Sequence, residues 1–424
     1  MANPERADLN RRNLFIASCI SIGTAAAVFA VRGDVAGAMG GAFHLTNEQI
    51  GMVFSPAFYG FALAILLSGL FVDAMGMRSL HALSGAAFIA GVGLIIVAPH
   101  PSQGVASIFD HMGTTMLYVG FFLFGVGHGL VEGVINPLMA SIYSNEKTKR
   151  ITAVHAWWPG GMILGGLLTL AMSTVNASWQ LRLCIILVPA IAYLVMALSQ
   201  SYPQTERMRS NVPASDMWKE ATRPLFLLLF VCMWMTAAVE LGPDQWFPVV
   251  MGALVPQLSP DAGSGVAFLV YTAGLMFVLR VWAAGLAHKS PIATLVFSSV
   301  FAAVGLYWLG ALAPGSSAFA AIAAATIFGI GKTFFWPTMV GVTAELFPRG
   351  GALLLSIIGA AGMTSVAVVT PLMGQRMDAL GPGSALQMIA LLAAILAVIF
   401  TGVWLYFRGI GGYRVVHIST VSAK

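Results

Sequence analysis

Charge is what this sequence has least of. Its 21 Lys and Arg and 16 Asp and Glu make up 9% of 424 residues, while hydrophobic residues make up 58%. A soluble domain carries about 25% charge. This chain therefore has too little charge to face water over a whole surface, and it is read as an integral membrane protein. Cysteine is also scarce: Cys19, Cys184 and Cys232 stand apart inside apolar runs. Without ligand spacing among them, neither a disulfide framework nor a metal site is expected. No phosphate-binding loop or nucleophile elbow is present, so ATP-driven transport and catalysis are not expected, and neither is a cofactor. The net charge of +5 is spread thinly between apolar runs, which argues against a nucleic-acid partner.

Long apolar runs are there in abundance. About 20 apolar residues cross a hydrocarbon core, and only helices or closed barrels satisfy their own backbone inside it. These runs are too long for barrel strands. Helices are predicted at roughly 14–42, 48–73, 79–98, 115–143, 151–174, 179–200, 224–253, 264–288, 291–312, 317–346, 350–375 and 384–408, which makes twelve. The first run continues past the length of a leader's apolar core, so it is read as a span rather than a cleaved signal. Basic residues fix the expected orientation. With the N-terminus inside, sixteen fall on inner ends and loops, among them Arg6, Arg11, Arg12, Arg78, Lys147, Lys149 and Arg150. Only Arg182 and Arg376 fall outside, and Arg32, Arg280 and Lys332 lie within spans. Both termini are expected in the cytoplasm, and the chain in a bacterial inner membrane.

The most polar interior stretch, 201–223, separates six spans from six. The expected division is a six-helix bundle over 1–200, a cytoplasmic linker over 201–223 and a second six-helix bundle over 224–424. Phe124-Gly125-Val126-Gly127-His128 is echoed by Phe328-Gly329-Ile330-Gly331-Lys332, and Thr24-Ala25-Ala26-Ala27-Val28 by Thr236-Ala237-Ala238-Val239-Glu240. Parallel repeats of this kind put a solute site near mid-membrane between the halves.

Between the second and third predicted spans, Gly69-Leu70-Phe71-Val72-Asp73-Ala74-Met75-Gly76-Met77-Arg78 resembles the Gly-x-x-x-Asp-x-x-Gly-x-Arg signature of the major facilitator superfamily. Gly69 would admit a close helix, Asp73 would pair across helices, and Arg78 would face the anionic leaflet. The counterpart from Arg280 to Lys289 has no aspartate. The resemblance spans essentially the whole chain and implies an all-α fold of two pseudo-symmetric bundles, here expected as a monomer. A narrower resemblance, over about a third of the chain, is to the fucose permease branch of sugar:proton symporters. It rests on Glu132, Asn136-Pro137, Lys149-Arg150, His155-Ala156-Trp157-Trp158-Pro159-Gly160 and the membrane aspartate position of Asp34. Where that branch has amides, this chain has histidine and tryptophans.

Ionisable residues within spans are costly and normally face the protein interior. Here they are Arg32, Asp34, His128, Glu132, His155, Glu240, Asp244, Arg280 and Lys332. Some will be buried ion pairs that lock one conformation, a role best suited to Arg280 and Asp244. Gly125, Gly129 and Gly133 form a small-residue stripe for helix packing, and His128, Glu132 and Asn136 share the adjacent face at the same spacing. Glu132 is the expected proton-coupling group, with Asp34 as its rival and Arg32 and Lys332 as counter-charges. Arg32 and Asp34, two apart, point away from each other on a helix, so each needs a partner elsewhere. Substrate contacts are expected from Arg32, His128, Asn136, His155, Trp157, Trp158, Glu240, Lys332 and Trp336. Trp158 and Trp336 are expected to line the cavity from opposite halves. The leading expectation is uptake of a sugar or polyol with protons. The alternatives are organic anions or sugar acids held by Arg32 and Lys332, and proton-driven efflux suggested by Pro159-Gly160-Gly161.

Overall fold

The computed structural model describes residues 10–143, 150, 153–204, 214–255, 264–282, 290–313, 315–347 and 350–414. Among them every regular element is a helix. The helices are α1 (Arg11–Ala42), α2 (Asn47–Phe54), α3 (Pro56–Met75), α4 (Met77–Ile96), α5 (Met112–Ile142), α6 (Trp157–Thr174), α7 (Trp179–Leu183) and α8 (Leu187–Ser199). They continue with α9 (Ala214–Ala221), α10 (Pro224–Leu254), α11 (Ser264–Trp282), α12 (Pro291–Gly310), α13 (Ala318–Lys332), α14 (Phe335–Leu346), α15 (Gly351–Leu380) and α16 (Pro382–Gly409). Eleven helical segments among the described residues are long and apolar enough to cross a membrane. The remaining expected span, the fifth, contains α6, with 18 residues. It opens on Trp-Trp-Pro-Gly-Gly.

Local sequence sets where helices begin and break. Pro56, Pro224, Pro291 and Pro382 open α3, α10, α12 and α16, where a missing N–H costs nothing. Thr46 and Gln49 form a capping box at α2, satisfying two orphan donors reciprocally. Gly76 takes a φ of 79° between α3 and α4, and Gly381 one of 87° between α15 and α16, values that L side chains rarely adopt. Three expected spans come in pieces. The second divides at Ser55-Pro56 into α2 and α3, and the sixth is α7, a short 3₁₀ turn and α8. The tenth breaks at Thr333-Phe334, just after Lys332.

The predicted glycine stripe of α5 faces α3. A Cβ at Gly125 would run into the Ala57 carbonyl, and one at Gly133 into the Ser68 hydroxyl. Around this contact α3 and α4 pack on α5, α1 on α6, and α4 on α8. Later in the chain α12 packs on α16 and α13, and α10 on α15. The contacts that join early to late helices are α2 and α3 with α15, α6 with α11, and α1 with α10. Of the predicted linker, 205–213 lies outside the described residues, and α9 rests on α15. The start of that segment is tied down: Tyr202 Oη lies 2.8 Å from His81 Nδ1 in α4, and burial pushes the Tyr202 phenol up from its ordinary pKa. The expected basic positions Arg6, Lys147, Lys149 and Lys289 also lie outside the described residues.

Candidate functional site

The face of α5 that the sequence marks as polar forms a cluster with the residues just before α6. Glu132 Oε1 lies 3.9 Å from His128 Nε2, and Glu132 Oε2 lies 3.7 Å from His155 Nε2. Asn136 Nδ2 donates to Glu132 Oε2 at 3.4 Å, while Asn136 Oδ1 lies 2.9 Å from His155 Nε2. The cluster is partly open: the Glu132 side chain is 14% exposed and that of His155 33%. Pro137 follows inside the helix, and its missing N–H loosens the turn beneath the cluster.

An aromatic wall backs these groups. His128 stacks on Trp158, with ring centroids 4.9 Å apart and planes at 18°, and packs edge-on against Phe61. Trp158 also meets Phe29 edge-on. Both Trp158 and Trp336 rest on one apolar cluster that includes Phe29, Phe58, Phe61, Leu241 and Met363. Trp157 instead is 46% exposed.

The other deep charges fall into pairs. Asp34 Oδ2 accepts from Arg182 Nη1 at 2.7 Å. Arg182 stands in α7 and reads from sequence only as a surface charge at a helix end; neither Arg32 nor Lys332 approaches Asp34. Glu240 accepts from Arg280 Nη2 at 3.1 Å and from the Trp336 backbone N–H at 3.0 Å. Arg280 also donates to the Thr333 carbonyl, so Glu240 and Arg280 together cap the broken span at α13 and α14. Lys332, fully buried, donates to both Asp244 oxygens at 2.6 and 2.8 Å and to Thr272 Oγ1 at 3.1 Å. Glu240 and Lys332, expected to touch substrate, thus both hold helix junctions in this conformation. Thr272 and Arg182 are partners that spacing along the chain could not reveal.

Arg32 is different. Its guanidinium lies within 5.3 Å of the ring centroids of Phe29, Phe54 and Phe58, and its Nε donates to Gln245 Oε1 at 2.5 Å. No carboxylate pairs with it among the described residues. Arg32 and His128 are the polar lining of a small cavity otherwise walled by Phe29, Phe58, Phe61 and Met363 with other apolar groups. Gln245 was legible only as one more polar residue in Pro243-Asp244-Gln245-Trp246.

The membrane end nearer Asn47 is sealed by α2 against α15. Ser55 Oγ donates to the Ala367 carbonyl at 2.6 Å, Trp246 Nε1 to the Thr370 carbonyl at 3.1 Å, and a Cβ at Gly51 would meet Pro371. At the opposite end Gly69 of the predicted signature lies by Ser356 in α15, Gly76 makes the turn, and Arg78 donates to the Leu198 carbonyl. Asp73 sits in the last turns of α3. Among the described residues no three His, Cys, Asp or Glu are grouped to hold a metal.

Comparison with solved structures supplies the fold. A variant of the nucleoside transporter NupG superposes with a TM-score of 0.73 at 12% identity, over 92% of this chain and 98% of that one. The xylose transporter XylE from E. coli, in a partially occluded inward open conformation, gives 0.74 at 14% identity over 92% and 98%. A D-xylose-proton symporter gives 0.74 at 13% over 92% and 97%. A search of curated proteins finds no match. The model of the Major Facilitator Superfamily matches residues 14–350. An all-helical bundle with eleven long apolar segments, a charged interior and this match over most of its length identify the chain as a membrane transporter that belongs to the major facilitator superfamily.

Proposed function

We propose that this chain takes up a small hydroxylated solute of the sugar or polyol class together with a proton, by alternating access, with Glu132 as the group that carries the proton. One observation carries this reading. Asp34, Glu240 and Asp244 are each held by an arginine or lysine, whereas among the described residues Glu132 faces His128, His155 and Asn136 and no arginine or lysine. A cation in contact with a carboxylate favours its charged form. Imidazoles and an amide can donate to a carboxylate or accept from the neutral acid, so they accommodate Glu132 in both states. The partial exposure of Glu132 and His155 gives that proton a route.

The cluster also suits the solute. Hydroxyls find carboxylate, amide and imidazole partners at Glu132, Asn136, His128 and His155, while the apolar face of a sugar ring suits Trp158 and the phenylalanines beside it. The resemblance of Glu132, Asn136-Pro137 and the segment from His155 to Gly160 to the fucose permease branch supports the same class, and so does the cargo named for the fold neighbours, xylose and nucleosides. In this reading 1–200 and 224–424 are the two rocking bundles of a monomer. Both termini lie in the cytoplasm, and the bilayer is a bacterial inner membrane.

The test is uptake into proteoliposomes of labelled pentoses, hexoses, their alditols and uronic acids. Glu132→Gln should keep counterflow exchange and lose accumulation driven by an inward proton gradient. If Glu132→Gln still concentrates solute and Asp34→Asn does not, the proton belongs to α1.

A further inference from the structure

The geometry points to Arg32 as a carboxylate subsite, so that the solute is not a neutral sugar but a sugar acid. This rests on the transport reading above and narrows its substrate class. Arg32 is 1% exposed, and a guanidinium stays protonated inside proteins. A buried charge is normally paired. Each of the other deep cations follows that rule: Arg182 has Asp34, Arg280 has Glu240, and Lys332 has Asp244. Arg32 has three phenylalanine rings and one amide oxygen. The rings attract a cation but supply no counter-charge.

Two further observations point to a ligand. Arg32 Nη2 and Gln245 Nε2 are both buried and make no hydrogen bond among the described residues. Both are donors, so what is missing beside them is an acceptor. Gln245, 0% exposed, fixes Nε from behind, which leaves the Nη end of the fork for something else. Arg32 also lines the cavity that reaches His128. A planar fork of N–H donors in an aromatic box matches a carboxylate, which offers two oxygens in the same plane. The nearest acid in sequence, Asp34, is engaged by Arg182 and cannot serve. The cavity holds Arg32, Phe61 and His128 in one lining, and Glu132 lies 3.9 Å beyond His128, where hydroxyls of the same solute would find partners. With an anion on Arg32 and a proton on Glu132, each uncompensated charge of the site is neutralised when the carrier is loaded.

The experiment uses three matched pairs on the purified full-length chain: D-glucuronate and D-glucose, D-galacturonate and D-galactose, D-gluconate and D-sorbitol. Binding is read as a rise in melting temperature and then as a dissociation constant. At least one acid is expected to bind tenfold or more tightly than its neutral partner. Arg32→Gln should weaken that acid at least tenfold, and Arg32→Lys, which keeps charge but loses the fork, should fall between. Neutral partners binding as well as their acids, no acid binding at all, or acid affinity unchanged in Arg32→Gln each overturns the assignment. The acid-to-neutral comparison uses the unaltered chain, so it decides the matter even where a variant fails to fold. The two readings fail separately. Gradient-driven accumulation of a neutral sugar that ignores Arg32→Gln leaves proton coupling standing and removes the subsite. Acid binding that depends on Arg32 without gradient-driven uptake does the reverse.

Discussion

Asp378, in the last turn of α15, caps the first turn of α2: its carboxylate accepts from the Asn47 backbone N–H at 3.3 Å, from Asn47 Nδ2 at 2.8 Å and from the Glu48 N–H at 2.8 Å. The first N–H groups of a helix have no partner within it, and a negative charge there is favoured. Here that charge comes from a helix some 330 residues away. The cap therefore exists only while α2 and α15 are together.

This makes Asp378 a latch on the closed end. Losing an N-cap costs about 0.5–2 kcal/mol, which shifts a two-state equilibrium by roughly 2- to 30-fold. Asp378→Ala should raise the rate at which a membrane-impermeant thiol reagent, added from the Asn47 side, modifies a cysteine placed at Leu241 between the halves. An unchanged rate would show that the apolar contacts of α2 with α15 hold the end shut without it.

The Asp34 to Arg182 pair ties α1 to α7 with both side chains nearly buried, at 3% and 11% exposure. Removing one partner leaves the other uncompensated, which costs about 3–5 kcal/mol. Asp34→Asn should lower the melting temperature of the purified chain, and Asp34→Asn with Arg182→Gln should recover much of the loss. If the single variant melts with the parent protein, the pair is not holding these helices.

Much of this was written in the sequence. The scarcity of charge, the apolar runs and the glycine stripe of α5 lead directly to helices and to the face on which α3 packs, because both depend on residues close in the chain. The His128, Glu132 and Asn136 face follows from helical spacing for the same reason. Pairings across helices were not legible: Arg182 finds Asp34 over 148 positions and Lys332 finds Asp244 over 88. Nothing local distinguishes a lysine destined for an aspartate from one destined for a substrate. Spacing did exclude a contact between Arg32 and Asp34, and each takes its partner elsewhere. The break after Lys332 was masked because Thr333 and Phe334 are ordinary in an apolar run.

Close packing of α5 on α3 leaves no room for a methyl group. A Cβ at Gly129 would lie 2.5 Å from the Phe61 carbonyl, and backbone cannot yield as a side-chain tip can. Overpacking of this kind costs about 1–3 kcal/mol. Gly129→Ala should lower the melting temperature while Gly37→Ala, where a Cβ meets nothing within 4 Å, should not. Equal behaviour of the two would mean that α5 and α3 stand further apart.

Lys332 separates a structural charge from a functional one. Its ammonium is enclosed by both Asp244 oxygens and Thr272 Oγ1 on a span that breaks one residue later. If the pair holds that junction, Lys332→Met leaves Asp244 buried and alone, and should destabilise the chain by about 3–5 kcal/mol. Lys332→Met with Asp244→Leu replaces the pair by apolar groups and should restore most of that stability. The decisive measurement is solute binding by the double variant once it folds. Retained binding of the solute at parental affinity is the expected result, since neither charge lines the cavity around Arg32 and His128. Loss of binding in a well-folded double variant would return Lys332 to the substrate and show that its pair with Asp244 opens during the cycle.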